Sequence, residues 1–128
     1  GNQDCHVILR GGKQPNYSAA DVDATCAVLK AAGLREQVMI DVSHANSSKQ
    51  HQRQITVAAE VAQQIAAGDA RITGLMIESH LQEGRQDIVP GQPLAQGVSV
   101  TDACISMAQT VPVLEGLAAA VRARRQKA

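Results

Sequence analysis

Aromatic side chains are almost missing from this chain: it has no Trp and no Phe, and Tyr17 stands alone. A core without rings must be filled by Ala, Val, Ile, Leu and Met, which suits parallel strands buried between helices. The same lack argues against a surface that stacks nucleic-acid bases. Net charge is also missing, with 12 basic residues against 12 acidic ones, so no whole-chain attraction to a polyanion is expected. The one basic run, Arg122, Arg124, Arg125 and Lys127, reads as a solvated helix end that complements the dipole. No Cys-x-x-Cys pair is present, and Cys5, Cys26 and Cys104 are odd in number and far apart. That is a reduced, cytoplasmic pattern rather than a disulfide framework. No charged start with an apolar stretch behind it marks a secretory leader. No apolar run approaches the roughly 18–20 residues of a membrane helix.

What remains is a chain of 128 residues with 45% apolar content, which fits one domain over residues 1–128 with no second one. It opens without Met on a sequence about to enter a strand, as a piece of something longer would.

Three units repeat one plan. Cys5 to Arg10 is a short apolar strand stopped by Gly11, Gly12 and Pro15. Ser18 with Asp21 three residues on marks a helix start. Val22, Cys26 and Leu29 then share a face, and Gly33 closes the helix. Val38 to Val42 is the second strand, and Ser43 to Ser48 a polar loop. Ile55, Ala58, Ala62 and Ile65 form a helical stripe ended by Gly68. Ile72 to Ile77 is the third strand, followed by Glu78, Ser79 and His80. A segment rich in Gly, Pro and Gln then runs from Leu81 to Gly97, a length that usually signals function. Val98 to Val100 suggests a short extended return. A last helix is expected from about Thr110, with Pro112 in its first turn and Leu114, Leu117 and Val121 buried. Strand–helix alternation without hairpin signals means right-handed crossovers and a parallel α/β sheet, and both a doubly wound fold and a barrel fit it. Three strands would leave two parallel edges unpaired.

The ends of the strands carry the chemistry. The same interval of 34 residues separates Arg10 from His44 and His44 from Glu78. Side chains at the carboxyl ends of parallel strands converge on one rim, where such sheets hold their sites. His44, Glu78 and the later Asp102 offer one imidazole nitrogen and two carboxylates, a set suited to manganese, iron, cobalt or zinc. A hydrogen-bonded structural histidine is the competing reading of His44. Arg10 with Gly11, Gly12 and Lys13 could hold a phosphate or carboxylate, or could be a tight turn beside a surface arginine. The region from His44 to Lys49 could cradle an anion, although polar loops of this kind are weakly specific. His6 reads as packed within a strand, His51 as exposed, and His80 as a support for Glu78. The three cysteines read as small buried hydrophobes.

Four stretches then carry a resemblance. GNQDCHVILRGGKQPNYS, QVMIDVSHANSSKQ, GLMIESHLQEG and VTDACI resemble successive motifs of class I 3-deoxy-D-arabino-heptulosonate 7-phosphate (DAHP) synthases of the aromatic-regulated microbial type. The resemblance covers nearly the whole chain, in order and with compatible spacing. It implies α/β architecture as three C-terminal βα units, six to eight, of a (β/α)₈ TIM barrel. The implied reaction condenses phosphoenolpyruvate with erythrose 4-phosphate, the first step of the shikimate pathway, in the cytoplasm. His44, Glu78 and Asp102 match three of four metal ligands. The fourth, a cysteine on the first strand, lies outside this chain, and Cys5 and Cys104 fall in the wrong motifs to replace it. Arg10 matches a phosphoenolpyruvate-binding arginine, and His44 also lies near that substrate. Lysines and further arginines of the site come from earlier strands, so the isolated chain is expected to be inactive. Open edges predict pairing with the rest of the barrel or self-association into a homo-oligomer, without nucleic-acid or membrane partners. The alternatives are a non-catalytic truncated fragment and a small metal- or phosphate-binding α/β module.

Overall fold

The computed structural model describes residue 2 and residues 4–127. Gly1 and Gln3, which open the first motif, and Ala128 lie outside the described residues. Strand β1 is Val7–Leu9, helix α1 Ala19–Ala31, strand β2 Val38–Asp41, helix α2 Arg53–Ala67 and strand β3 Ile72–Met76. A short second pair, β4 (Ser79–His80) and β5 (Ile105–Ser106), leads into helix α3 (Met107–Arg125). The first three strands form one parallel sheet in the order β1-β2-β3, and β4 pairs in parallel with β5. The chain is therefore α/β with parallel strands, as the alternation of elements predicts. Each outer strand of the larger sheet pairs on one side only among the described residues.

The strands form where branched aliphatic residues cluster, since these pack well on a pleated surface between layers. Val38 and Ile40 on β2, Val42 just beyond it and Ile72 on β3 are buried, together with Val22, Cys26 and Leu29 of α1 and Val57, Ala58, Val61 and Ile65 of α2. Helix α1 starts as expected. The Ser18 hydroxyl accepts from the Asp21 N–H at 3.2 Å, and the Asp21 carboxylate accepts from the Ser18 N–H at 3.0 Å, a capping box. Gly33 follows at φ +69°, where a Cβ would be strained, and the next N–H, of Leu34, returns to the Leu29 carbonyl at 2.9 Å.

Several expectations need correction. The first strand is shorter than Cys5 to Arg10, and Cys5 and His6 are exposed because they precede it and nothing packs over them. On α2 the buried stripe is rotated: Gln54, Val57, Ala58, Val61 and Ile65 face inward, while Ile55 is 37% exposed beside the groove to α3. A buried glutamine in place of an isoleucine is unexpected from hydropathy, and hydrogen bonds to the end of β3 explain it. Helix α3 begins one turn earlier than expected, capped by Ser106 and Gln109, which puts Pro112 beyond its first turn. Leu114 is 52% exposed, because Val113, Leu117 and Val121 take the inward positions around buried Ala120. The expected return at Val98 to Val100 is reduced to one bridge, from Ser99 to Arg85. The basic run is not wholly solvated either: Arg124 reaches back to the Asp69 and Ile72 carbonyls at 3.0 and 3.3 Å. No helix among the described residues is long and apolar enough to cross a membrane.

Candidate metal centre

Strand β2 ends in Asp41, which is 2% exposed. A carboxylate so deeply buried needs partners, and it has them on both oxygens. Oδ1 accepts from the Ser43 N–H at 2.8 Å, and Oδ2 lies 2.8 Å from His44 Nδ1. An ionised carboxylate can only accept, so this contact calls for a proton on Nδ1, and the tautomer with its only proton there keeps a lone pair on Nε2. His44 itself adopts φ +46°, a left-handed conformation open to few side chains. Its carbonyl is tied down by the Lys49 N–H at 2.8 Å and the Ser47 hydroxyl at 3.2 Å. The ring is thus fixed in orientation.

Nε2 of His44 faces two carboxylates. Glu78 Oε1 is 3.6 Å away and Asp102 Oδ2 is 3.9 Å away. One ligand atom from each of His44, Glu78 and Asp102 lies within 4.8 Å of the others. Glu78 is reached at the end of β3, and its second oxygen, Oε2, accepts from the Ser43 hydroxyl at 2.6 Å. Asp102 comes from the loop before β5 and is the most open of the three, with its side chain 70% exposed. A nitrogen and two carboxylate oxygens facing one point fit a borderline-to-hard divalent ion. The carboxylate behind the imidazole is the usual support for a metal-binding histidine.

Arg10 stands on the same rim. Its Nε lies 3.7 Å from Asp41 Oδ2, and the side chain is 63% exposed, so the guanidinium remains open to an anion. The glycine after it packs against the His44 loop. Gly11 has φ +76°, and a Cβ there would meet the Ala45 Cβ at 2.8 Å and the Asn46 nitrogen at 2.9 Å. That close approach joins it to the His44 loop. Asn46, 0% exposed, completes that joint by donating to the Leu9 and Asp41 carbonyls at 3.1 and 2.7 Å and accepting from the Asn16 N–H.

All four residues singled out in the sequence therefore meet at one rim, while two lesser expectations fail. His80 does not support Glu78, since its ring turns to the Gly97 carbonyl. The loop from His44 to Lys49 is not an open anion cradle: Asn46 and Ser47 are buried, and the Ser48 hydroxyl accepts from Arg53. Burial pushes the thiols of Cys26 and Cys104 above the ordinary range, which agrees with small buried hydrophobes and weakens them as ligands. The residues missed were Asp41 and Ser43. A carboxylate closing an apolar strand was the available signal for Asp41; Ser43 carried none.

Against known proteins, a profile of the DAHP synthetase I family matches residues 1–115. The chain belongs to the DAHP synthetase I family. It is 58% identical over 125 residues to the Phe-sensitive phospho-2-dehydro-3-deoxyheptonate aldolase of Escherichia coli strain K12, covering 98% of this chain and 36% of that protein. It is 55% identical over 131 residues to the tyrosine-inhibited enzyme of Schizosaccharomyces pombe, covering 98% and 35% respectively. The solved structure of the phospho-2-dehydro-3-deoxyheptonate aldolase from Francisella tularensis SCHU S4 superposes with a TM-score of 0.92 at 50% identity, covering 97% of this chain and 36% of that one. The chain thus corresponds to a segment spanning little more than a third of these DAHP synthases.

Proposed function

We propose that this chain supplies βα units six to eight of a (β/α)₈ barrel and, with them, most of a metal and phosphoenolpyruvate site. The observation that carries the reading is the convergence of His44, Glu78 and Asp102 on one point beside Arg10. The reaction is the condensation of phosphoenolpyruvate with erythrose 4-phosphate, the opening step of the shikimate pathway, run in the cytoplasm. His44, Glu78 and Asp102 would hold the divalent ion, with a cysteine outside this chain as the fourth ligand that the family resemblance implies. When bound, the ion supplies Lewis acidity toward the aldehyde of erythrose 4-phosphate. Arg10 offsets the anionic charge of phosphoenolpyruvate through its open guanidinium. Asp41 fixes the His44 ring, and Ser43 fixes the Glu78 carboxylate. The methylene carbon of phosphoenolpyruvate bonds to the aldehyde carbon, water adds at the adjacent carbon, and inorganic phosphate leaves by C–O cleavage.

The open edges favour a chain that works only with its neighbours. Val7 and Ile8 on the edge strand β1 are 39% and 48% exposed. Covering them with the remaining strands, or with a second copy in a homo-oligomer, removes that apolar surface from water. A coupled phosphate-release assay tests the reading. The isolated chain should release none. A fusion to the preceding segment of the Escherichia coli relative should release phosphate in the presence of manganese, and His44→Ala should abolish it. A soluble, folded fusion that stays silent at every manganese concentration would reject the assignment.

A further inference from the structure

The inner face of α2 is aliphatic at Val57, Ala58, Val61 and Ile65, yet it begins with Gln54, which is 0% exposed. A primary amide in that position is costly unless both its donor and its acceptor are met. Both are met by a single residue. Gln54 Nε2 donates to the Glu78 carbonyl at 3.1 Å, and Gln54 Oε1 accepts from the Glu78 N–H at 2.8 Å.

The place where this happens explains its use. The β2–β3 ladder closes with the bond from the Val42 N–H to the Met76 carbonyl at 3.0 Å. Beyond it the chain after β2 turns away through Ser43 and His44, while the chain after β3 runs on to Glu78 with no strand beside it on that side among the described residues. The Gln54 amide stands where the next peptide group of β2 would have been and extends the ladder by one step. On the other side the Ile105 N–H donates to the same Glu78 carbonyl at 3.0 Å. The backbone of Glu78 is therefore clamped between a helix and the second sheet. Its carboxylate is left to the rim, where Ser43 holds Oε2 and Oε1 faces His44 Nε2.

Resting on the metal reading above, we propose that Gln54 is a positioning residue for the Glu78 ligand: it stands in for a missing strand and sets the direction from which the carboxylate reaches the ion. A side chain without the amide frees the Glu78 peptide to rotate, and the carboxylate then leaves its place opposite His44. Only glutamine has both the reach and the paired donor and acceptor; asparagine is one methylene short, and glutamate lacks the donor.

The test is cobalt(II) binding by the full chain, followed by calorimetry and by the visible absorption of the bound ion. Gln54→Met keeps the volume and removes the amide. It should weaken cobalt binding by about 10-fold or more, in the range typical of lost outer-shell partners, and shift the absorption band. Val57→Ala, one turn away on the same face and also destabilising, should leave affinity and spectrum as in the wild type. If Gln54→Met fails to fold, Gln54→Asn should show the same weakening and shift. A Gln54→Met or folded Gln54→Asn protein with wild-type affinity and spectrum would overturn the assignment. So would a loss in Val57→Ala as large as that in the Gln54 variants. If the wild-type chain alone takes up no cobalt, the same variants are compared in the fusion to the preceding segment of the Escherichia coli relative, which supplies the missing cysteine; a folded wild-type fusion that takes up none sinks the metal reading, and this inference with it.

Discussion

At the carboxyl end of the sheet, Asp41, Glu78 and Asp102 surround a single imidazole, with the Arg10 guanidinium at the margin. At the amino end, Arg71 lies 2.7 Å from both Asp69 and Asp23, and Arg124 closes on the Asp69 and Ile72 carbonyls. The Arg71 side chain holds the Asp69 carboxyl below the usual carboxylate range, and Asp69 and Asp23 in turn push the guanidinium up. Charge is balanced within the protein at the amino end. At the rim three carboxylates face one imidazole and one guanidinium, the arrangement on which the proposed metal centre rests. On the proposed reading one end holds the sheet together and the other would hold an ion, the division expected when sites sit at strand carboxyl ends.

Substitutions at the two ends should separate metal affinity from stability. The largest effect is expected of Glu78→Gln, which removes a charge from the proposed ligand set. Manganese affinity measured by calorimetry should fall by more than the about 10–100-fold that loss of an outer-shell partner costs. Asp41→Asn should fall within that 10–100-fold range, because the His44 ring loses its charged anchor but remains present. Equal affinity in the wild type and both variants would remove the rim from consideration as a metal centre.

The opposite end should behave in reverse. Asp69→Ala removes an acceptor for the Arg71 N–H, Nε and Nη2, and should cost about 1–3 kcal/mol in urea unfolding while leaving manganese affinity unchanged. The pH dependence has a defined sign. The folded carboxyl is depressed, so its stabilisation is complete above the ordinary Asp value of about 3.9 and fades as pH falls through the folded value. Unfolding curves of wild type and Asp69→Asn should stay a constant distance apart at neutral pH and converge in acid. Divergence in acid would mean that the Arg71 pairing is not what lowers this group.

Much of this arrangement is legible in residues alone. The apolar runs into Arg10, His44 and Glu78 mark the strands, and their equal spacing brings the three to one rim. Ser18 with Asp21 marks the start of α1. What escapes is structure whose signal is not hydropathy. The β4–β5 pair is two residues long on each side, too short for any alternation to register. Gln54 misleads because it is polar and buried, which turns the perceived stripe of α2 toward Ile55. Pro112 attracts a helix start that belongs to Ser106, where the Ser106–Gln109 spacing was the better signal. Asp41 looks like the polar end of a strand until its depth and its contact with His44 are seen. For Gln54 and for the β4–β5 pair, tertiary hydrogen bonds invisible in one dimension decide the outcome, whereas the bonds of Ser106 and of Asp41 to His44 span only three residues.

The smallest effect expected lies at the entrance to the long loop, beside the starts of α2 and α3. Glu83 joins three elements: its Oε1 accepts from the Gln52 amide at 2.7 Å and faces His51 Nε2 at 2.9 Å, and Oε2 accepts from the Gln109 amide at 3.2 Å. The Gln52 amide, then the His51 ring, hold this exposed carboxyl below its ordinary range. Solvent screens such a group, so its removal should not register in global unfolding. Its effect should instead be local. The backbone bonds from Gln82 to Gly97, Gly84 to Cys104 and Gln86 to Ser99 fold the loop back on itself, and the Glu83 contacts anchor that loop to the starts of α2 and α3. Glu83→Gln should therefore speed amide exchange at Gln82, Gly84 and Gln86 by local opening, while core amides of β2 and manganese affinity stay as they are. Because the folded carboxyl is depressed, wild-type protein should show the same loosening only as pH falls through that folded value, below about 4.3. A fall in manganese affinity in Glu83→Gln would instead tie this anchor to Asp102 at the far end of the loop, and the separation between a holding end and a binding end would have to be redrawn.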